Sequence, residues 1–423
     1  MNNFYEELGI SEEVINLSIE AEKALEEEFK KHDEICKRNS NKVLSAFIKE
    51  RISMEHFSGT NGYGYNDLGR DKVDNVFSHV FGAEDTLVRA QFVSGSHALT
   101  VCLFALLRPG DTLLSVTGAP YDTLLEVIGV RENASSLKSF GVNYKQVDLI
   151  DGYFDFDGIR KALDDKSIKV IEIQRSKGYS SRKSISVSEI EEVVKLVKEL
   201  RDDVIVMVDN CYCEFVEEVT PLQVGADIMV GSLIKNLGAG VVPNGGYIAG
   251  KKDLVYLASD RLAVPGEGKD VGATLDMNRC FLQGMYMAPS VVNASVKTAI
   301  LASYMLDKLG FDVEPKFDGK RVDIVQAIKF NDPDQMIRYC CGIQMASAVD
   351  SYVTPIPDEM PGYGDKIIMA AGAFVQGSTI ELSCDGPLRE PYIAYQQGGL
   401  TYDYGKLGVL KAITEVLKIK NDK

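Results

Sequence analysis

The chain has 423 residues, 45% hydrophobic and 26% charged, which suits a globular protein of two or three lobes around a large core. Its formal net charge of −16 and pI near 4.9 argue against a sequence-independent nucleic-acid surface, because such surfaces work by neutralising phosphates with Lys and Arg. Eight cysteines in a chain of this length do not form a disulfide framework. Cys211 and Cys213 are one residue apart, Cys340 and Cys341 are adjacent, and Cys-x-x-Cys does not occur, so neither a zinc ribbon nor a thioredoxin-type site is indicated. The histidines, His32, His56, His79 and His97, make no His-Glu-x-x-His pattern, and no catalytic metal is expected.

From the N-terminus, "MNNFYEELGISEEV" is acidic and lacks an apolar signal core. With no run of about 18 apolar residues to cross a membrane, the cytoplasm is the expected location. Residues 11–55 are expected to be helical. Val14, Leu17, Ala21, Leu25 and Phe29 recur near helical spacing with charges between them, and Ser11 offers a helix start. The Gly/Tyr/Asn-rich stretch "GTNGYGYNDLGRD" (59–71) reads as a loop. From about 73 to 250 helices and strands alternate. Helix "KVDNVFSHVFG" precedes strand "TLVRAQFV", then a helix beginning near Ser96, strand "TLLSV", helix "YDTLLEVIG", strand "IKVIEIQ", helix "VSEIEEVVKLVKEL" and strands "VIVMVDN", "IMVGS" and "GGYIAG". That alternation predicts a mostly parallel sheet covered on both faces. A long helix near 284–310 leads into a smaller C-terminal α/β lobe containing strands "DIVQAIKF" and "TIELSC". The expected division is a helical arm (1–60), a large domain (61–300) and a small domain (301–423).

Three stretches and one lysine carry chemistry. Lys235 stands among Gly, Ser, Ala and short aliphatic residues in "VGSLIKNLGAGVVPNGGYIAG". Taken alone, the stretch reads first as a surface lysine in a Gly-rich loop. A desolvated lysine with a lowered pKa would instead suit a Schiff base. Strand Gln91–Val93 is expected to end at the turn Ser94-Gly95-Ser96, where a following helix would present free N–H groups and its positive dipole end to a phosphate; a plain tight turn is the competing reading. His97 reads as a packed first-turn residue. Tyr121 follows a small-residue turn at a strand end, where its ring could stack on a flat ligand or sit in the core. Asp209 ends an apolar strand, where α/β folds place functional groups. There it either pairs with a protonated ring nitrogen or caps the next helix. Cys211 and Cys213 read as packing residues. "GAGVVP" lacks the third glycine of a dinucleotide fingerprint, and "GEGKD" is no Walker loop.

The joint order of these features, with "GYGYNDLGRD", "FVSGSHA", "PYDTLLEVIG", "VDNCYCEF", "GSLIKNLGAG" and "IELSCDGPLREPY", resembles the fold type I pyridoxal-phosphate enzymes. Within them it resembles the cystathionine β-lyase/methionine γ-lyase-like group known as aluminium-resistance proteins, over nearly the whole chain. The resemblance implies a fold type I transferase-like architecture and the cofactor pyridoxal 5′-phosphate. It implies Lys235 as the Schiff-base lysine, Asp209 as the partner of the pyridine nitrogen, and Tyr121 as the ring-stacking residue. Ser94, Gly95 and Ser96, helped by Ser232, would hold the phosphate. Tyr65 and Arg70 would reach the phosphate of a neighbouring subunit in a homodimer or homotetramer. Arg389 would bind the carboxylate of a small amino-acid substrate. The family's loop after the central strand here reads "IQRSKGYSSRKS", which leaves the partner of the cofactor's O3′ unassigned; Arg175 and Arg182 within it read as solvated. The expected activity is a carbon–sulfur lyase on cystathionine, methionine or cysteine. The alternatives are another pyridoxal-phosphate enzyme (aldolase, transferase or aminotransferase) and a non-catalytic metal-response protein that retains the fold.

Overall fold

The structure, a computed structural model, describes residues 3–422. The expected helical stretch 11–55 is two helices rather than one. A short α1 (Asn3–Glu7) precedes α2 (Glu12–Ala24) and α3 (Glu26–Glu50), which break at Leu25. The apolar residues Ile10, Val14, Ile15, Ala21 and Leu25 enter the same core as the C-terminal segment, so this part of the expected arm packs on its own chain. The Gly/Tyr-rich loop is shorter than expected. Asp67 caps α4 (Leu68–Phe81) by accepting from the Arg70 N–H at 2.8 Å, which pulls Leu68–Asp71 into the helix.

Seven strands form the large sheet: β1 (Asp85–Arg89), β2 (Thr112–Ser115), β3 (Asn143–Gln146), β4 (Ile168–Gln174), β5 (Ile205–Asp209), β6 (Ile228–Ser232) and β7 (Gly246–Gly250), in the order β1-β7-β6-β5-β4-β2-β3. From β3 to β6 neighbouring strands run parallel; β7 is antiparallel to both β6 and β1. Strands covered on both faces read as unbroken apolar runs. In β5, Met207 enters one core while Val206 and Val208 enter the other. α5 (Gly95–Leu106) and α9 (Lys252–Leu262) cover the first face; α7 (Phe156–Ala162) and α8 (Val187–Leu200) cover the second. A short α6 (Asp122–Ile128) follows β2. β1 stops at Arg89, opposite Gly246, the first residue of β7. Gln91–Val93 therefore has no partner strand and runs as a turn, against the expected strand.

α10 (Asn278–Lys308) is the spine between the two lobes, and the boundary expected at 300 falls inside it. The second sheet, β8 (Asp312–Glu314), β9 (Gln326–Lys329), β10 (Ile367–Ala370), β11 (Ser383–Pro387) and β12 (Ile393–Gln397), is antiparallel in the order β10-β11-β12-β9-β8. α11 (Pro333–Met345) and α12 (Tyr402–Asp422) share its core with α2 and α10. The expected strand "TIELSC" divides. Thr379–Glu381 forms a 3-10 turn, Leu382 at φ 120° breaks the direction, and β11 begins at Ser383.

Candidate active site

β4, β5 and β6 end together. Gln174 lies opposite Asp209, and Asp209 opposite Val230, two residues before Ser232. The carboxyl ends of parallel strands open onto the crevice where this class of fold binds its ligands. One cavity here is lined by Ser94, Gly95, Ser96, Tyr121, Asp209, Ser232 and Lys235 together. Seven residues read from four separate stretches of sequence thus meet in one space.

Each is held by its local structure. Ser94 caps α5, its Oγ accepting from the His97 N–H at 3.1 Å. The Gly95 and Ser96 N–H groups make no hydrogen bond among the described residues, as expected of a first helical turn. A Cβ on Gly95 would stand 3.1 Å from Ser232 Cβ and 3.4 Å from Cys211 Sγ, so the close approach of helix and strand needs a glycine. His97 Nδ1 accepts from the Val93 N–H at 3.1 Å and its ring packs edge-on against Phe92, the packed role expected. Ser96 shares a 2.8 Å hydrogen bond with Thr123. Tyr121 precedes α6; its hydroxyl meets that of Tyr363 at 2.6 Å and its ring lies against Tyr179.

Asp209 is buried, and its Oδ1 accepts from the Cys211 N–H at 3.0 Å. Burial moves its carboxyl upward, against the Cys211 N–H and the charge of Lys235. Lys235 Nζ lies 3.8 Å from the centre of the Tyr212 ring, a cation–π distance. Burial favours its neutral amine, but Cys211, Tyr212 and Asp209 favour the ammonium, and the net direction is upward. The expectation of a lowered lysine pKa from desolvation therefore fails for the chain by itself. Cys211 and Tyr212 are themselves pushed up by burial.

The four arginines named from the sequence all lie outside the lining of this cavity. Arg389 does not line this cavity. It is half exposed, its Nη1 is 2.6 Å from Asp365 Oδ2, and it borders a neighbouring cavity beyond Tyr179. Arg70 is 3% exposed and spends its guanidinium on the carbonyls of Gly64, Gly272 and Asp270; it ties the Tyr-rich loop to its own chain. Arg175 and Arg182 are not solvated. Arg175 is buried against Asn210 and Glu217, and Arg182 donates to the carbonyls of Gln174, Arg175, Ser176 and Lys183. Tyr65 is exposed, stacked on Tyr63 at 5.6 Å, and outside its own chain's cavity.

The sequence reading missed Gln174, Tyr179, Tyr212, Tyr363, Ser378, Ser383 and Asp385, all of which line the cavity. Gln174 ends an apolar strand as Asp209 does, and the same criterion finds it. Tyr363, Ser378, Ser383 and Asp385 come from the C-terminal lobe and have no local signature. Gln174 Oε1 and the hydroxyls of Ser378, Thr379 and Ser383 are buried without a hydrogen-bond partner. Such atoms cost free energy unless something in the cavity satisfies them.

These residues fit pyridoxal phosphate. A glycine-opened helix N-terminus suits its phosphate, an acid at a strand end its ring nitrogen, a tyrosine its ring face, and a half-buried lysine on the cavity wall its aldehyde. Fold and site define the class of fold type I pyridoxal-phosphate enzymes. The pyridoxal-5′-phosphate-dependent protein YhfS of Escherichia coli shares the fold, with a TM-score of 0.63 at 16% identity over 91% of this chain and 96% of that one. Within that class the chain belongs to the methionine gamma-lyase family, whose pattern it matches over residues 14–417. It is 49% identical over 392 residues to the uncharacterised protein YnbB of Bacillus subtilis strain 168, covering 92% of this chain and 93% of that one. It also superposes, with a TM-score of 0.94 and 49% identity over 98% of both chains, on a carbon–sulfur lyase involved in aluminium resistance from Clostridium novyi NT.

Proposed function

We propose that the chain is a pyridoxal-phosphate-dependent carbon–sulfur lyase acting on a sulfur amino acid such as cystathionine, methionine or cysteine. The observation that carries this reading is the meeting of half-buried Lys235, buried Asp209 and the opening turn of α5 in one cavity. When bound, pyridoxal phosphate supplies an electron sink that stabilises negative charge at the substrate's Cα. The chain's own groups do the rest. The N–H groups of Gly95 and Ser96 and the Ser232 hydroxyl hold the anionic phosphate. Asp209 holds a proton on the ring nitrogen. A cationic partner there also takes up the Asp209 charge, removing one of the groups that favours the Lys235 ammonium; burial then favours the neutral amine. Lys235 Nζ accepts the Cα proton as a general base. Tyr121 and Tyr212 flank the reacting centre and exclude water. Loss of a thiol from Cβ or Cγ would follow, leaving an unsaturated amino acid whose imine form, once released, takes up one water to give an oxo acid and ammonia.

The test is product formation. Cofactor-loaded protein incubated with each of the three amino acids should release thiol and ammonia in equal amounts from at least one. Borohydride treatment before substrate should fix the cofactor covalently at Lys235, and Lys235→Ala should lose both the fixation and the yellow colour. Fixation at another lysine, or amino transfer without thiol release, would overturn the reading.

A further inference from the structure

Asp385 on β11 has no part in the mechanism above, yet it lines the same cavity as Lys235 and is only 6% exposed. Its Oδ2 accepts from Gln397 Nε2 at 3.0 Å, and no Lys, Arg or His pairs with it among the described residues. Burial pushes its carboxyl up to about 6, opposed by Tyr179, Lys235 and Gln397, which still leaves it ionised at neutral pH. An anion enclosed with neutral donors only is costly unless a cation joins it.

The cavity does not supply that cation. Among the described residues that line it, Lys235 is the only basic side chain, and the reaction requires it elsewhere. The surroundings suit an incoming one. The rings of Tyr121, Tyr179 and Tyr363 lie against one another, with centroids 5.6 to 6.2 Å apart, and tyrosine faces attract cations. The unpartnered hydroxyls of Ser378 and Ser383 sit on the same C-terminal wall and can accept further N–H donors.

We propose that Asp385 anchors a second ammonium group, carried on the sulfur side chain of the substrate, so that the site selects diamino thioethers over thioethers with a neutral alkyl arm. The proposal rests on the lyase reading for its substrate class. The experiment separates the two. Cofactor-loaded protein is titrated with S-(2-aminoethyl)-L-cysteine and with S-propyl-L-cysteine, an isosteric pair differing by one charge. Binding is read from the change in visible absorbance, and thiol release is measured separately. The charged ligand should bind at least roughly tenfold more tightly, the scale of a charge-assisted bond in a desolvated site. Asp385→Asn, with cofactor colour and melting temperature checked, should bring the two ligands within about threefold, chiefly by weakening the charged one. Equal binding of both ligands by the wild type overturns the proposal with no variant needed, and so does an undiminished preference in Asp385→Asn. Preferential binding without thiol release leaves Asp385 assigned and removes the lyase reading. Thiol release from both ligands with equal affinity does the reverse.

Discussion

Asp209 is read from its place at the end of an apolar strand and Arg389 from the family resemblance, and the structure separates them. Asp209 is buried at the floor of the cavity, whereas Arg389 is half exposed and engaged by Asp365. Asp209→Asn should keep borohydride-fixable cofactor but lose on the order of 10²-fold or more in turnover, since a charge-assisted bond to the ring nitrogen disappears. Near-normal turnover would remove Asp209 from the electron-sink role. Arg389→Lys should change KM and kcat by less than about threefold, because an exposed ion pair of this kind contributes little. A large rise in KM with unchanged cofactor spectrum would restore Arg389 as the carboxylate clamp.

Among the elements, β4 carries a buried acid that couples stability to pH. Glu172, inside the strand, is buried with its Oε2 accepting from Ser115 Oγ at 2.8 Å and its Oε1 unpartnered. Burial pushes its carboxyl up to about 7. An acid whose folded pKa exceeds its unfolded value binds more protons in the folded state. Its contribution is full below about 4.5 and is lost as pH rises through about 7. Glu172→Gln keeps an acceptor for Ser115 without the charge. Relative to wild type, the variant should gain on the order of 1–3 kcal/mol between pH 5 and pH 8, measured by urea unfolding at both values. A difference that does not change with pH would show that Glu172 titrates as an ordinary carboxyl. The pattern of β4 itself, an apolar run ending in Gln, was legible, and so were α8 and β6 to the residue. Less legible were the ends that depend on a partner: β1 stops where β7 begins, and the turn at Thr379–Glu381 interrupts an apparent strand.

At the scale of the whole molecule, the Tyr-rich loop is fixed from behind and open in front. Arg70 ties it to Gly272 and Asp270, and the Tyr63 carbonyl accepts from the Gly272 N–H. Tyr63, Tyr65, Leu68 and Leu275 remain exposed on that side. An aromatic, exposed loop tied down from behind is what a two-fold interface would use. We propose a homodimer as the minimal active unit, with Tyr65 reaching the partner's phosphate; pairing of dimers into a tetramer is compatible with it. Complementation tests this. If Tyr65→Phe is inactive, mixing it with inactive Lys235→Ala under subunit exchange should restore up to about a quarter of wild-type activity, since half the dimers are mixed and each holds one intact site. Proven exchange without recovery, or a fully active monomer, would place each site within one chain.

Local chemistry let the sequence alone determine the alternating α/β body and the helix-opening turn at Gly95, and it marked Lys235, Asp209 and Tyr121 as candidates that their joint order brought together. Glycine at a strand-to-helix turn, an acid ending an apolar strand and a lone lysine among small residues each carry their reason within a few positions. What lay beyond reach was decided by packing across the chain. The resemblance implies Arg70 as an anion ligand, and Arg175 and Arg182 read as solvated, until the fold spends their donors on the chain's own carbonyls, the Asn210 amide and the Glu217 carboxylate. Asp385 looks like an ordinary strand residue until the antiparallel C-terminal sheet carries it, 150 residues after Lys235, to the wall of the same cavity. Whether a charge is spent on the protein or left for a ligand depends on which distant groups arrive beside it, and only the tertiary structure brings them there.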